Sequence, residues 1–197
     1  TADGVRTVLT SESGATVRNL NLANVNITGT GSLIFLGTLA GENHGTISNV
    51  HILGGTVAGG SQTGVVAGGL VAKNEGLIEN SSSAANVSVG ANSIVGGFAG
   101  LSGGTILLST SSGAVTATSE SYLGGFAGVN LGAIEFSSAT GSVTGTGNRD
   151  IIGGFVGKKL FDFVWTKLDD EEPPEATTQE TTSGKLIAAA AIQGVIF

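Results

Sequence analysis

A short glycine pattern returns along this chain at almost even intervals, and that period restricts the fold more than any other feature. It reads LGTLAG at residues 36–41, AGGLVA at 67–72, GGFAG at 96–100 and again at 124–128, and GGFVG at 153–157. The leading glycines, Gly37, Gly68, Gly96, Gly124 and Gly153, are 31, 28, 28 and 29 residues apart. Self-similarity at such a period belongs to solenoids, in which each repeat buries its apolar side only by stacking on its neighbours.

Further columns share the period. A large apolar residue follows the glycines at Leu39, Leu70, Phe98, Phe126 and Phe155, a turn position falls at Asn43, Asn74, Ser102 and Asn130, and Ile47, Ile78, Ile106 and Ile134 follow the next glycine. Val25, Val57, Val87, Val115 and Val143 suggest a third apolar column. Each coil is therefore expected to hold three short strands, separated by two glycine- or Asn-rich bends and a variable polar loop. Stacked at the ~4.8 Å spacing of hydrogen-bonded strands, equivalent residues form continuous inner columns. Asn suits the bends because it tolerates the left-handed backbone and can hydrogen-bond along a ladder. Helices are disfavoured through residue 157, since glycine costs ~1 kcal/mol at each helical position and no 3.6-residue stripe persists. The fold class expected is all-β, a solenoid of coils of about 28 residues with a non-repeat C-terminal segment.

Composition narrows the function classes. The 34 glycines lack a three-residue period and only 2 prolines are present, which excludes collagen. A net charge of −7 with 8 Lys and Arg gives no basic stripe for a phosphate backbone, so nucleic acid is not an expected partner. Cysteine is absent, removing disulfides and thiolate metal sites. No run reaches the ~18 apolar residues of a membrane span. The chain starts at Thr1 and reads as a mature or excised fragment.

Taken in order, residues 1–30 read as an incomplete first coil that also covers the end of the stack, and residues 31–157 as the repeats. The pattern stops at Lys158. Residues 158–168 (KKLFDFVWTKL) alternate so that Phe161, Phe163 and Trp165 share one side, which fits a strand capping the open end. Residues 169–183 are an acidic linker with Pro and Thr. Residues 184–197 (KLIAAAAIQGVIF with the preceding Gly) are apolar enough to need a docking surface in this chain or in a neighbouring copy.

On these columns the chain resembles the GLUG-type repeats of large bacterial surface and secreted proteins, most closely in GGLVAKNEGLIENSSSAANVSV at 68–89 and GGFAGVNLGAIEFSSATGSVTGT at 124–146. Families with such repeats include filamentous-haemagglutinin-like adhesins and exoproteins exported by the two-partner route. The resemblance covers residues 31–157 and implies a right-handed parallel β-helix, secreted or displayed at the bacterial cell surface. The first copy departs at Thr38, where a second glycine is expected, and the third at Ser102.

Residues with catalytic potential do not assemble in the sequence. His44 and His51 are the only histidines and are expected at surface or turn positions of adjacent strands. No GxSxG elbow and no calcium-binding GGxGxD repeat occurs. Glu79 and Glu135 share a column but Leu107 lies between them. No catalytic residue, cofactor or metal is assigned. The function expected is a non-catalytic extracellular module of a surface adhesin or exoprotein, acting as a stalk or contacting a host or bacterial surface glycan or protein. Two alternatives are a self-assembling fibre subunit, a homo-oligomer whose arm at residues 158–197 docks on a neighbouring copy, and a carbohydrate-active β-helix enzyme.

Overall fold

The computed structural model describes residues 14–153, which form strands and no helix. Short strands alternate with tight bends because glycines and small polar residues interrupt every apolar run after three or four positions. The first coil holds β1 (Thr16–Leu22), β2 (Val25–Thr28), β3 (Phe35–Gly37) and β4 (Ala40–Asn43). The second holds β5 (Thr46–Ile52), β6 (Gly55–Ala58), β7 (Val66–Gly68) and β8 (Val71–Asn74). In the third, the first strand is split into β9 (Leu77–Glu79) and β10 (Ser82–Ser83), followed by β11 (Asn86–Val89), β12 (Ile94–Gly96) and β13 (Ala99–Ser102). The fourth repeats that division in β14 (Thr105–Leu107), β15 (Thr110–Ser111), β16 (Val115–Ala117), β17 (Tyr122–Gly124) and β18 (Ala127–Asn130). The described part of the fifth holds β19 (Ala133–Glu135), β20 (Ser138–Ala139), β21 (Val143–Gly145) and β22 (Ile151–Gly153).

Strands pair only with their equivalents one coil away, always in parallel, giving a β-solenoid of about five turns. The glycine period is the register itself: Gly37 pairs with Gly68, Gly68 with Gly96, Gly96 with Gly124 and Gly124 with Gly153. The isoleucine column is likewise continuous, Ile47 to Ile78 to Ile106 to Ile134, and Val17 extends it into the first coil.

Three expectations need correction. Each of the first four coils contributes to four sheets, not three, because a column of Leu36, Ala67, Val95, Leu123 and Ile152 forms a sheet of its own between the valine column and the glycine corner. Its residues vary in size, so no single side chain marks it in the sequence. Val25 is not in the valine column: it pairs with Gly55, and Ile27 stands opposite Val57. The register step there is 30 residues, the same as from Val57 to Val87, whereas Val25 lies 32 residues before Val57. Finally, Leu39, Leu70, Phe98 and Phe126 belong to no strand; they occupy the bend between the third and fourth sheets and point inward, where all four are buried.

The interior is divided into two apolar clusters. One joins the bend column to the isoleucine column, with Val50, Ile52, Val71 and Ala99. The other joins the valine column to Leu36, Val65, Ala67, Val95 and Leu123. The leading glycines explain how the chain turns between them. A Cβ at Gly37, Gly68, Gly96 or Gly124 would overlap the carbonyl oxygen three residues on, at Ala40, Val71, Ala99 and Ala127. At the second bend a Cβ on Gly76, Gly104 or Gly132 would overlap the carbonyl oxygen of the glycine one coil before. Both columns are glycine because backbones meet there without room for a side chain.

Phe155, the cap residues Phe161, Phe163 and Trp165, the linker at 169–183 and the apolar segment at 184–197 lie outside the described residues.

Candidate interaction surface

The turn ladder is an internal support of the coil. Asn43, Asn74 and Ser102 are buried, and Asn43 Nδ2 donates to Asn74 Oδ1 at 2.8 Å while Asn74 Nδ2 donates to Ser102 Oγ at 3.4 Å. Asn130 lies in register but is exposed, and braces its own bend by donating to Gly132 O at 3.0 Å and accepting from Gly132 N–H at 3.3 Å.

Two further corners went unread in the sequence. Asn19, Asn49, Asn80, Leu108 and Phe136 hold φ of 56°, 53°, 47°, 47° and 49°. The residue after the last three is a buried serine. Val50 N–H donates to Ser81 Oγ at 3.1 Å, Ser81 N–H to Ser109 Oγ at 3.2 Å and Ser109 N–H to Ser137 Oγ at 3.1 Å. Each hydroxyl in turn donates to the carbonyl two residues before it. The left-handed residue swings the following amide off the strand ladder, and burial obliges that amide to find another acceptor. A second corner repeats the device: Leu33, Gly64, Asn92, Glu120 and Arg149 have φ of 56°, 69°, 55°, 62° and 63°. There Val65 N–H reaches Ser93 Oγ at 3.2 Å, Ser93 N–H reaches Ser121 Oγ at 3.2 Å, and Ser121 N–H reaches Asp150 Oδ1 at 3.0 Å. The 28-residue spacing of these serines was the available signal, obscured by the many other serines around them.

Outward positions vary from rung to rung. Beside the isoleucine column the exposed side runs Arg18, Ser48, Glu79, Leu107 and Glu135. On the fourth sheet it runs Glu42, Lys73, Leu101 and Val129. On the fourth sheet the change from charged to apolar falls between the second coil and the third. His44, which lies in the bend after β4 and not in a strand, faces Glu42 with Nε2 at 3.2 Å and Glu75 with Nδ1 at 2.9 Å. A neutral imidazole carries one N–H, so it donates to one of the two carboxylates at a time. Lys73 Nζ is 2.6 Å from Glu75 Oε1. Hydrogen bonding to Lys73 holds the Glu75 carboxyl below its ordinary range, against the opposing effect of burial, with the charges of Lys73 and His44 adding to it. The same hydrogen bond raises Lys73, partly offset by burial. His51, in β5, bridges Asn49 Oδ1 at 3.0 Å and Ser82 Oγ at 2.9 Å, and Asn49 Nδ2 donates to Asn19 Oδ1 at 2.9 Å.

In the fourth coil the outward residues Leu107, Leu108 and Val129 are apolar, and in the fifth Phe136 is apolar while Glu135 keeps a charge. The left-handed column changes from Asn to Leu108 and Phe136, 57% and 48% exposed, at a conformational cost of ~1–2 kcal/mol each that Asn largely avoids. Leu131, 78% exposed, stands in the next bend. A separate apolar line, Phe35, Val66, Ile94, Tyr122 and Ile151, follows the outer side of the third sheet.

Carboxylates are dispersed among these faces. Glu79 accepts from Ser48 Oγ at 3.0 Å, Glu120 pairs with Arg149 at 3.1 Å, and Asp150 also accepts from Gly147 N–H at 3.3 Å. Among the described residues no group of three or more His, Asp and Glu is placed to hold a metal ion.

A family model described as a protein of unknown function (DUF4235) matches residues 149–197, beginning at the second left-handed corner of the last coil. No curated protein and no solved structure matches the chain.

Proposed function

We propose that this chain is a non-catalytic β-solenoid module of a bacterial adhesin or exoprotein, working outside the cell as a rigid frame that carries a contact surface for a glycan or protein. The observation that supports it is the contrast between the two sides of one strand. Inward, Ile47, Ile78, Ile106 and Ile134 repeat without change; outward, Ser48, Glu79, Leu107 and Glu135 change character from each rung to the next. The inward column packs on itself and keeps an apolar residue at every level, whereas the outward positions are free of that constraint and can carry the mixed side chains that a contact surface uses. The resemblance to GLUG-type repeats supports the extracellular setting.

The test is binding of the full chain to a panel of immobilised glycans and cell-surface glycoproteins, alongside assay of the same polysaccharides for new reducing ends. Saturable binding that Glu79→Ala or Leu107→Ala weakens, with the β circular dichroism retained, is the expected result. Release of reducing ends would replace this reading with the carbohydrate-active one.

A further inference from the structure

The outward row of the third sheet carries Phe35, Val66, Ile94, Tyr122 and Ile151, one in each coil and in register throughout. Their chain neighbours Leu36, Ala67, Val95 and Leu123 pack in the core, so this row faces away from it, and Phe35, Tyr122 and Ile151 are 39%, 45% and 59% exposed. Among the described strands it is the one outward row that keeps a large hydrocarbon or aromatic side chain at every rung. The rows through Glu79, His51, Lys73, Thr56 and Thr105 each include charged, amide, imidazole or aliphatic hydroxyl groups. Cross-strand pairs of β-branched and aromatic residues stabilise a sheet by ~0.2–1 kcal/mol each. The equally regular second sheet does without them, holding Asn26, Thr56 and Asn86 at its outward positions. Exposed hydrocarbon sustained along the whole stack marks a contact surface.

The shape of the line indicates what it contacts. Two positions further along each strand stand Gly37, Gly68, Gly96, Gly124 and Gly153, without side chains, and two positions before it stand Leu33, Gly64, Asn92, Glu120 and Arg149 at the left-handed corner. From the third coil to the fifth that border is polar: Asn92 is exposed, and Glu120 pairs with Arg149 at 3.1 Å. At ~4.8 Å per rung the five side chains span ~19 Å in a strip one residue wide. Such a strip falls well short of the ~800 Å² that a stable protein partner covers on each side. An extended peptide lying along the stack would repeat its side chains on one face every ~6.8 Å, out of step with the rungs. An extended β-linked glycan advances by nearly one rung per pyranose unit, and each unit offers apolar C–H faces and hydroxyl edges.

We propose that the line from Phe35 to Ile151 binds an extended, uncharged β-1,4-linked glycan running along the stack with about one pyranose unit per rung. The C–H faces of the sugars rest on the rings of Phe35 and Tyr122 and on the aliphatic side chains between and beyond them, and the hydroxyl edges meet Asn92, Glu120 and Arg149, which supply both donors and acceptors. Glu120 and Arg149 neutralise each other, so the border selects no charged sugar. The inference rests on the reading of the chain as a binding frame, and it names a surface separate from the first-sheet row of Glu79 and Leu107.

The experiment is calorimetric titration of the full chain with cello-oligosaccharides from the disaccharide to the hexasaccharide, with their N-acetylglucosamine counterparts, and with maltohexaose, whose α-linkages curl the chain. Affinity for one β-linked series should climb with each added unit up to the pentasaccharide and then level off, and maltohexaose should bind at least about tenfold more weakly. Tyr122→Ala should lower the hexasaccharide affinity about tenfold. Ile94→Thr, which keeps the β-branch and the solenoid, should lower it several-fold. Absence of binding by both β-linked series would overturn the inference, as would affinity that does not depend on oligosaccharide length or does not respond to Tyr122→Ala and Ile94→Thr. A dimer in sedimentation that Tyr122→Ala dissolves would assign the line to a second copy and overturn it too. Glycan binding that responds to Glu79→Ala or Leu107→Ala but not to the line variants would overturn this inference and leave the function proposed above standing; the reverse pattern would support the line and remove the support for the first-sheet row.

Discussion

The rings of Phe98 and Phe126 stack one coil apart, centroids 4.7 Å from each other and planes within 13°. That separation is the strand spacing itself, so the ring column and the hydrogen-bonded ladders are commensurate. Leu39 and Leu70 continue the column below. Phe126→Ala should cost about 3–5 kcal/mol through lost burial and a cavity, and Phe126→Leu, which copies the earlier coils, about 1–2 kcal/mol. Urea unfolding followed by circular dichroism measures both; equal losses would show that ring stacking and size do not matter at this bend.

Two glycines seven residues apart, Gly96 and Gly103, should respond in opposite ways. A Cβ at Gly96 meets the Ala99 carbonyl and lies 2.7 Å from the Phe126 carbonyl oxygen, so Gly96→Ala forces the backbone apart and should cost about 2–3 kcal/mol or more. At Gly103 the nearest atom would be the Asn74 carbonyl oxygen at 3.9 Å. Gly103→Ala should be neutral or stabilise by up to about 1 kcal/mol by restricting the unfolded chain. Thermal unfolding of the pair checks the contrast.

Ser111 carries a buried hydroxyl without a hydrogen-bond partner, directed at the backbone of Gly97. Its equivalent one coil on is Ala139. Ser111→Ala should therefore raise stability by about 1 kcal/mol, since it removes a desolvated polar group at nearly constant shape. Ser109→Ala should do the opposite, because its hydroxyl accepts from Ser81 N–H. A matched pair of urea midpoints distinguishes the two columns of serine.

The Lys73 and Glu75 pair sets a modest pH dependence. Glu75 is lowered from 4.5 in the folded chain, so its contribution is present above that value and is lost as pH falls through the lower folded value. Lys73 is raised from 10.5, so its contribution is present below that value and is lost as pH rises through the higher folded one. Both side chains are substantially exposed, and solvent screening keeps the effect small. Glu75→Gln should flatten the acid limb of stability against pH, and Lys73→Gln the alkaline limb, as read from unfolding midpoints across pH.

Much of the coil was legible in the residues. The register of Gly37 through Gly153 and of Ile47 through Ile134 could be written down from spacing, because a column packed on itself accepts the same side chain at every level. Val25 misled for the complementary reason: a valine at roughly the right distance matched by type, while a register step of 30 residues placed Ile27 opposite Val57. The corners at Leu108 and Phe136 were invisible, since neither residue type signals a left-handed backbone.

From the sequence alone came the repeat, the inner columns and the glycine positions, each imposed by contacts between identical levels. Only the tertiary structure decided that four sheets surround two separate apolar clusters. It also decided that buried serines replace ladder carbonyls at the corners and that the outer side of the fourth sheet turns from charged at Glu42 and Lys73 to apolar at Leu101 and Val129. Those features depend on where the chain bends and which distant segments then meet, and a bend set by backbone approach leaves no fixed side-chain mark at its own position.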